Sequence, residues 1–240
     1  MGSVLDLAGR VAVVIGATSG LGKAIAAGLA EHGAEVVAAG RRSASHPVDV
    51  TSRASIDALR DRVLQERGRV DILVNAAGIA LRAPAAEAGE DAWQQVIDTN
   101  LNGAFRACQS FYAPLKASGR GRVINIASLS SFRAFHLVSA YSASKTALLS
   151  LTRSLACEWA RDGISVNAIA PGVFPTDLNR ETILGTPRGQ EMLMRTPMAR
   201  FGRPEELVGA AVLLASDGAS FITGHCIAVD GGYLASGVNS

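Results

Sequence analysis

At 240 residues, 48% of them hydrophobic and 18% charged, with 25 glycines, the chain has the composition of a buried globular core rich in tight turns, which excludes a disordered or fibrous protein. Its net charge is +2 and its basic residues are scattered, Arg41-Arg42 being the densest spot, so the footprint of a nucleic-acid binder is missing.

Short β-rich runs alternate with longer helical patterns along the chain. Val11–Ile15 is an apolar run closed by glycine, and Leu21–His32 follows at helical period. Glu35–Ala39 reads as the second strand. Only Gly40–Pro47 then separates it from the next candidate, Val48–Val50, too short an interval for a parallel crossover carrying a helix. We therefore expect Val48–Val50 to be a strand stub reached by a loop, with the helix between strands 2 and 3 shortened or missing. Helical patterns at Ser52–Glu66, Asp91–Lys116, Ala140–Asp162 and Pro204–Ser216 alternate with strands at Val70–Asn75, Arg122–Ala127, Ile164–Ile169 and Cys226–Val229. The strands are continuously apolar, as befits a sheet covered on both faces. The expectation is an α/β fold: a single Rossmann-like, doubly wound parallel sheet flanked by helices on both faces, in one domain over 1–240.

Three dispersed cysteines (Cys108, Cys157, Cys226) without a CxxC pair argue against a disulfide framework, and Cys157 and Cys226 read as small buried hydrophobes. His32, His46, His136 and His225 show no metal-ligand spacing, so no metal is expected. Met1–Arg10 lacks the basic start and apolar run of a signal peptide, and Asp6 stands where an N-terminal myristoylation signal at Met1-Gly2 wants Ser or Thr. No apolar run approaches the ~18 residues that span a bilayer. A cytoplasmic protein is expected.

Between the first strand and first helix, Gly16-Ala-Thr18-Ser19-Gly20-Leu21-Gly22 has a GxxxGxG spacing. Glycines there allow a tight turn and a close backbone approach to a pyrophosphate, with the helix N-terminus beyond. Taken alone it is an ordinary turn; its place after the first strand promotes it to a dinucleotide loop. At the end of the second strand, where such sites carry an acid for the ribose hydroxyls or a base for a 2′-phosphate, stand Arg41 and Arg42. Guanidinium groups favour phosphate, so NADP is expected over NAD unless both arginines are solvated loop residues. Tyr141-Ser-Ala-Ser-Lys145 places a phenol and an ammonium on one helix face. A nearby cation favours the phenolate. Ser128 closes the strand thirteen residues upstream.

Together these motifs resemble the short-chain dehydrogenase/reductase family. Gly16-x-x-x-Gly20-x-Gly22, Asn75-Ala76-Ala77-Gly78, Asn100, Ser128, Tyr141-x-x-x-Lys145, Pro171-Gly172 with Thr176, and Asp230-Gly-Gly follow in family order over essentially the whole chain. The resemblance implies hydride transfer between a nicotinamide cofactor and an alcohol or ketone. It implies Tyr141 as general acid or base, Lys145 lowering the Tyr141 pKa and holding the nicotinamide ribose, and Ser128 on the substrate oxygen. It further implies Asn100 at a helix irregularity holding a relay water, Gly78 beside the adenosine ribose and Asp49-Val50 along the adenine. Pro171, Gly172, Val173 and Thr176 would hold the carboxamide. Two departures, Ile15 for a usual Thr and Ala76 for a second Asn, remove polar ties beneath the cofactor in pairs, leaving neither partner orphaned.

Asp177–Arg200, with Asn179, Arg180, Glu181, Arg188 and Arg195, falls where the family has its substrate lid, and Ser130, Arg133 and His136 are expected to face it. Asn125–Ser128, the Trp159 region and Gly231–Asn239 are similar to gluconate and deoxygluconate dehydrogenases, which points to a sugar, polyol or sugar-acid substrate. The resemblance also implies a homotetramer built on the two long helices. Two alternatives remain: a 3-oxoacyl-thioester reductase using Arg188, Arg195, Arg200 or Arg203 as a basic patch for an acidic carrier protein, and a catalytically silent dinucleotide-binding protein.

Overall fold

The computed structural model describes residues 3–177 and 179–238; Met1-Gly2, Leu178 within the lid and Asn239 of the terminal motif lie outside the described residues. Strand β1 (Val11–Ile15) is buried along its whole length and shows how the sheet organises the core. Side chains alternate across a strand. Val11, Val13 and Ile15 therefore join one apolar cluster, and Ala12 and Val14 join the other. The first cluster takes its helical half from α2 (Arg53–Arg67), α4 (Gly103–Ala117) and α5 (Ser139–Trp159), through Leu59, Phe111 and Leu155. The second takes it from α1 (Gly20–Glu31) and α8 (Val208–Ala215), through Ile25, Leu29 and Leu214.

Six parallel strands run in the order β2-β1-β3-β4-β5-β6, with β2 at Glu35–Ala39, β3 at Ile72–Asn75, β4 at Gly121–Ile126, β5 at Ile164–Pro171 and β6 at Cys226–Val229. The chain leaves β1 to one side for β2 and returns to its other side for β3. The carboxyl ends of β1 and β3 therefore flank a topological switch point, where doubly wound sheets bind their ligands.

The expected stub at Val48–Val50 is not a strand. No helix intervenes between β2 and this segment, in line with the sequence, but the loop folds back on itself instead of extending the sheet. Gly40 N–H donates to the His46 carbonyl at 3.2 Å and Val48 N–H to the Gly40 carbonyl at 3.3 Å. Val48 and Val50 are buried all the same, packed into the first cluster. A Cβ on Gly103 would lie 2.8 Å from Val50 Cβ, so the glycine that opens α4 makes room for that valine. His46 fastens the loop to α2 through Glu66 at 3.0 Å. Apolar residues at the sheet edge can thus be buried by side-chain packing without ladder hydrogen bonds.

The expected Asp91–Lys116 helix is interrupted. An α-helix, α3 (Glu90–Ile97), passes through a π-helical turn at Asp98–Asn102 into α4, and Asn100 sits in that turn. The lid carries two short helices, α6 (Arg180–Ile183) and α7 (Pro187–Met194). Cys108 is buried, but Cys157 is exposed on α5, where its neighbours Leu155 and Ala156 turn inward, and Cys226 is only half-buried on the edge strand β6. No described helix is long and apolar enough to cross a membrane. Among the described residues no group of His, Cys, Asp or Glu is arranged to hold a metal ion.

Candidate active site

A cleft of about 740 Å³ opens across the carboxyl ends of the strands. One end is formed by the β1–α1 loop. Gly16 has φ +95°, and a Cβ there would stand 2.5 Å from Ala77 N; one on Gly22 would stand 2.3 Å from the Gly16 carbonyl oxygen. Only glycine permits this packing, which leaves main chain bare at the mouth of α1. Helix α1 has no acidic residue in its first turn and Ser19 does not cap it with its side chain, so its terminal N–H groups and positive dipole end face the cleft unneutralised. That cradle suits a pyrophosphate.

Arg41 and Arg42 line the same end, so the shortened loop leaves them on the cleft. An Arg42 guanidinium nitrogen donates to Ser19 Oγ at 3.2 Å. Asp49 accepts from Thr51 N–H and Thr51 Oγ1 at 2.9 and 2.7 Å. These bonds hold its carboxyl below the ordinary range, with Arg41 contributing less.

At the other end Ser128, Tyr141 and Lys145 share one wall. Lys145 is buried, and its ammonium donates to the Ile126 carbonyl at 2.7 Å. The same nitrogen lies 5.8 Å from the centroid of the Tyr141 ring. Burial pushes the Lys145 ammonium down to about 8. Burial also pushes the Tyr141 phenol above its ordinary value, and a hydrogen bond with Ser128 opposes this with smaller effect. In this geometry burial is the larger influence on the phenol and the Ser128 hydrogen bond the smaller, with no influence of Lys145 resolved although its nitrogen lies beside the ring.

Beneath this wall, Asn100 Oδ1 accepts from Ile79 N–H at 2.8 Å, and its Nδ2 donates to the Ile79 carbonyl at 2.9 Å and to Ser144 Oγ at 3.1 Å. It is almost wholly buried and does not reach the cleft surface. Asn75 is likewise withdrawn, its Nδ2 donating to Asn125 Oδ1 at 2.9 Å, while Asn125 donates on to Thr152 Oγ1 at 3.0 Å. This chain ties β3, β4 and α5 together, so Ile15 and Ala76 can be apolar. Val173 lines an adjoining cavity of about 370 Å³, beside Gly231 and Gly232, that shares Gly172 and Phe174 with the cleft. Gly78 lies against Asn100 and Lys145, nearer the lysine than the Arg41 end. Ser130 is buried, with its hydroxyl unpartnered among the described residues, and is not on the cleft wall. The remaining expected residues, Thr18, Gly20, Leu21, Val50, Ala76, Ala77, Pro171, Gly172 and Thr176, all line the cleft.

Sequence reasoning missed Thr51, Thr99, Ile126 and Phe174, which also line it. Phe174 lies inside the Pro171–Thr176 turn and was findable there. The Ile126 contribution includes a main-chain carbonyl, which no side-chain pattern announces.

The comparisons agree with this geometry. A family model described as enoyl-(acyl carrier protein) reductase matches residues 16–234. The chain is 40% identical to the 2-dehydro-3-deoxy-D-gluconate 5-dehydrogenase of Escherichia coli (strain K12), covering 97% of this chain and 98% of that protein. The chain belongs to the short-chain dehydrogenase/reductase family. Within it, the chain is also 38% identical to an NAD-dependent glycerol dehydrogenase of Listeria innocua, over 95% of both. The crystal structure of a gluconate 5-dehydrogenase from Burkholderia cenocepacia J2315 in complex with NADP and tartrate superposes with a TM-score of 0.94 at 36% identity, covering 97% of this chain and 98% of that one. This member of the family is an oxidoreductase.

Proposed function

We propose that the protein transfers a hydride between NADP(H) and a secondary alcohol or ketone of a sugar acid or polyol. The observation that carries this reading is a single cleft with a glycine cradle and two arginines at one end and Ser128, Tyr141 and Lys145 at the other. The bare α1 terminus fits a pyrophosphate, and Arg41 and Arg42 fit a 2′-phosphate; NAD(H) is the alternative cofactor, as in the named activity of the Listeria relative. Asp49 and Val50 would line the adenine, and Pro171, Gly172 and Thr176 would hold the carboxamide. When bound, the nicotinamide supplies or accepts the hydride.

The chain's own residues handle the proton. Tyr141, whose phenol form burial favours, would give its proton to a ketone oxygen in reduction; in oxidation it would first pass that proton to the neutral amine of Lys145 and then, as the phenolate, take the hydroxyl proton. Ser128 hydrogen-bonds that oxygen and stabilises the developing alkoxide. Lys145, titrating near neutrality, holds the nicotinamide ribose and returns the proton to Tyr141. Asn100 positions the Gly78-Ile79 main chain beside Lys145.

Residues 1–240 would form one catalytic unit with a lid over 177–200. The sugar-acid and polyol class rests on the named activities of the relatives, among them gluconate 5-dehydrogenase. A cytoplasmic homotetramer built on α4 and α5 is the expected assembly, checked by light scattering in solution. The carrier-protein reductase reading is weakened by the lid itself. Arg195 pairs with Glu191 at 2.9 Å, and Arg200 and Arg203 share the single carboxylate of Glu206 at 2.7 and 3.2 Å, so part of the positive charge that an acidic partner would meet is already paired.

The test is a panel of polyols, sugar acids and ketones assayed with NADP(H) and NAD(H) at the nicotinamide absorbance. Turnover that survives Tyr141→Phe would sink the mechanism. Tight binding of both cofactors with no turnover would favour the silent binder.

A further inference from the structure

The loop that carries Arg41 and Arg42 onto the cleft is fixed by a residue that does not itself line the cleft. Ser43 N–H donates to the Gly40 carbonyl at 2.9 Å, which makes Arg41 and Arg42 the two central residues of a β-turn. That turn rests on the glycine cradle. A Cβ on Gly40 would stand 3.0 Å from Thr18 Cγ2, and Arg42 donates to Ser19 Oγ at 3.2 Å. The Ser43 hydroxyl donates to the Ala38 carbonyl at 3.0 Å and accepts from His46 N–H at 3.1 Å.

Every residue of 41–47 is exposed or half-buried except His46. An imidazole buried in a surface loop needs partners for both ring nitrogens. It has them: Nε2 is bonded to Glu66 Oε2 on α2 at 3.0 Å, and Nδ1 to Ser45 Oγ at 3.0 Å. Because Nε2 faces a carboxylate, it is the donor of that bond. Glu66 is held in turn, its other oxygen accepting from Arg62 Nε at 2.8 Å. The His46 carbonyl accepts from Gly40 N–H at 3.2 Å. The main chain of His46 thus meets both ends of the turn, at Gly40 and Ser43, while its ring meets the helix. Among the described residues no other side chain of 41–47 is hydrogen-bonded to α2.

Two guanidinium groups on an unsupported loop must be ordered each time they take a phosphate, and that ordering opposes binding. We propose that His46, clamped to Glu66, holds the Arg41–Arg42 turn in its phosphate-binding position and so sets the selectivity for the 2′-phosphate of NADP(H). This rests on the NADP(H) reading and deepens it. His46 is a positioning residue: it acts through the arginines and does not touch the ribose phosphate. Selectivity follows because the adenine side is anchored separately. Val50 packs against Gly103, and Asp49 N–H donates to Ser55 Oγ at 3.0 Å. Loosening the turn costs the 2′-phosphate contact and spares the rest of the dinucleotide.

Calorimetry on the whole protein compares adenosine 2′,5′-bisphosphate, which carries the 2′-phosphate, with adenosine 5′-monophosphate, which lacks it. KM for NADPH and for NADH is read in parallel. His46→Ala should raise the bisphosphate Kd and the NADPH KM by about 5- to 20-fold, leaving the monophosphate Kd and the NADH KM within about twofold. His46→Gln, whose amide places a donor near the position of Nε2, should recover most of the loss. In an Arg41→Ala, Arg42→Ala background, His46→Ala should change the bisphosphate Kd by less than about twofold, since nothing is left to position. Glu66→Ala removes the same bond from the exposed last turn of α2, where the helix dipole does not favour an acid. It should give the same selective loss, and it serves should His46→Ala fail to fold.

Equal losses for bisphosphate and monophosphate would mean a general loosening of the adenosine end and would overturn the proposal. So would a His46 effect that persists undiminished once both arginines are gone. If the wild type prefers the bisphosphate through its arginines but neither His46→Ala nor Glu66→Ala weakens it, the positioning role fails and the NADP(H) reading stands. Wild-type binding of the bisphosphate no tighter than of the monophosphate would refute the 2′-phosphate reading of Arg41 and Arg42, and the role of His46 would fall with it.

Discussion

The ammonium of Lys145 is bonded to the main-chain carbonyl of Ile126 at 2.7 Å, in a position almost closed to solvent. One carbonyl is poor compensation for a buried charge, and the fall of the lysine from 10.5 to about 8 is worth about 3 kcal/mol against folding.

That figure carries a sign. The lysine pKa is lower in the folded protein than in the unfolded chain, so between about 8 and 10.5 the unfolded chain binds more protons and stability rises with pH. Below about 8 the whole penalty applies. Lys145→Met should therefore be more stable than the wild type at pH 7, by about 1–2 kcal/mol after allowing for the orphaned Ile126 carbonyl. The margin should shrink as pH climbs towards 10. Urea unfolding at pH 7 and pH 9.5 measures it, and the variant should have lost turnover. A variant less stable than wild type at pH 7 would show that the carbonyl bond outweighs desolvation.

The two directions of the reaction should respond to pH in opposite ways. Tyr141 is held above its ordinary value of 10, so at neutral pH it is a proton donor, the form that reduction needs. Ketone reduction should be flat at neutral pH and fall as Lys145 loses its proton near 8, whereas alcohol oxidation should still be climbing at pH 9. Initial rates in both directions between pH 6 and 10 test this. Parallel profiles would contradict the assignment of the proton to Tyr141.

Much of this arrangement was legible in the sequence because it is written in residue types that have few other uses. The Gly16–Gly22 spacing, the continuous apolar strands and the Tyr141–Lys145 interval led to β1, α1 and α5 where they stand. The Val48–Val50 stub failed because burial and β-branching look the same whether a segment is laddered into a sheet or packed against Gly103. The withdrawal of the Asn75 side chain from the cleft depends on which way it turns, which linear spacing does not carry. The lid ion pairs were in part readable, since Glu191 and Arg195 lie at i, i+4 and Arg203 and Glu206 at i, i+3.

Cofactor choice should rest on the pair at the end of β2. Arg42 is already oriented by Ser19 beside the glycine loop, and both arginines are exposed, so their contribution should be sensitive to salt. Arg41→Ala with Arg42→Ala should raise KM for NADPH by about 10- to 100-fold and leave KM for NADH within about threefold. The NADPH penalty should narrow between 0.05 and 0.5 M salt, on the order of one Debye length shrinking from roughly 14 to 4 Å. A higher wild-type kcat/KM with NADH would show that the arginines are solvated loop residues.

Asn100 is the residue whose replacement should separate architecture from chemistry. Its amide closes both polar groups of Ile79, which lines the cleft, and reaches Ser144 in the interior. Asn100→Ala leaves the part-buried N–H and carbonyl of Ile79 without these partners, so it should lower stability by about 1–3 kcal/mol in urea unfolding. Turnover would fall as well, but a loosened Gly78-Ile79 segment would explain that without any chemistry. Asn100→Asp is the sharper probe. It is nearly isosteric and still accepts from Ile79 N–H, while placing a carboxylate close to the lysine: a side chain on Gly78 would stand 3.3 Å from Asn100 Oδ1 and 3.5 Å from Lys145 Nζ. An opposite charge at that range favours the ammonium. The alkaline limb of the reduction profile should therefore move up from about 8 towards the ordinary lysine value. If that limb stays in place while stability alone changes, Asn100 acts only as a brace for Ile79, and the lysine takes no part in setting the profile.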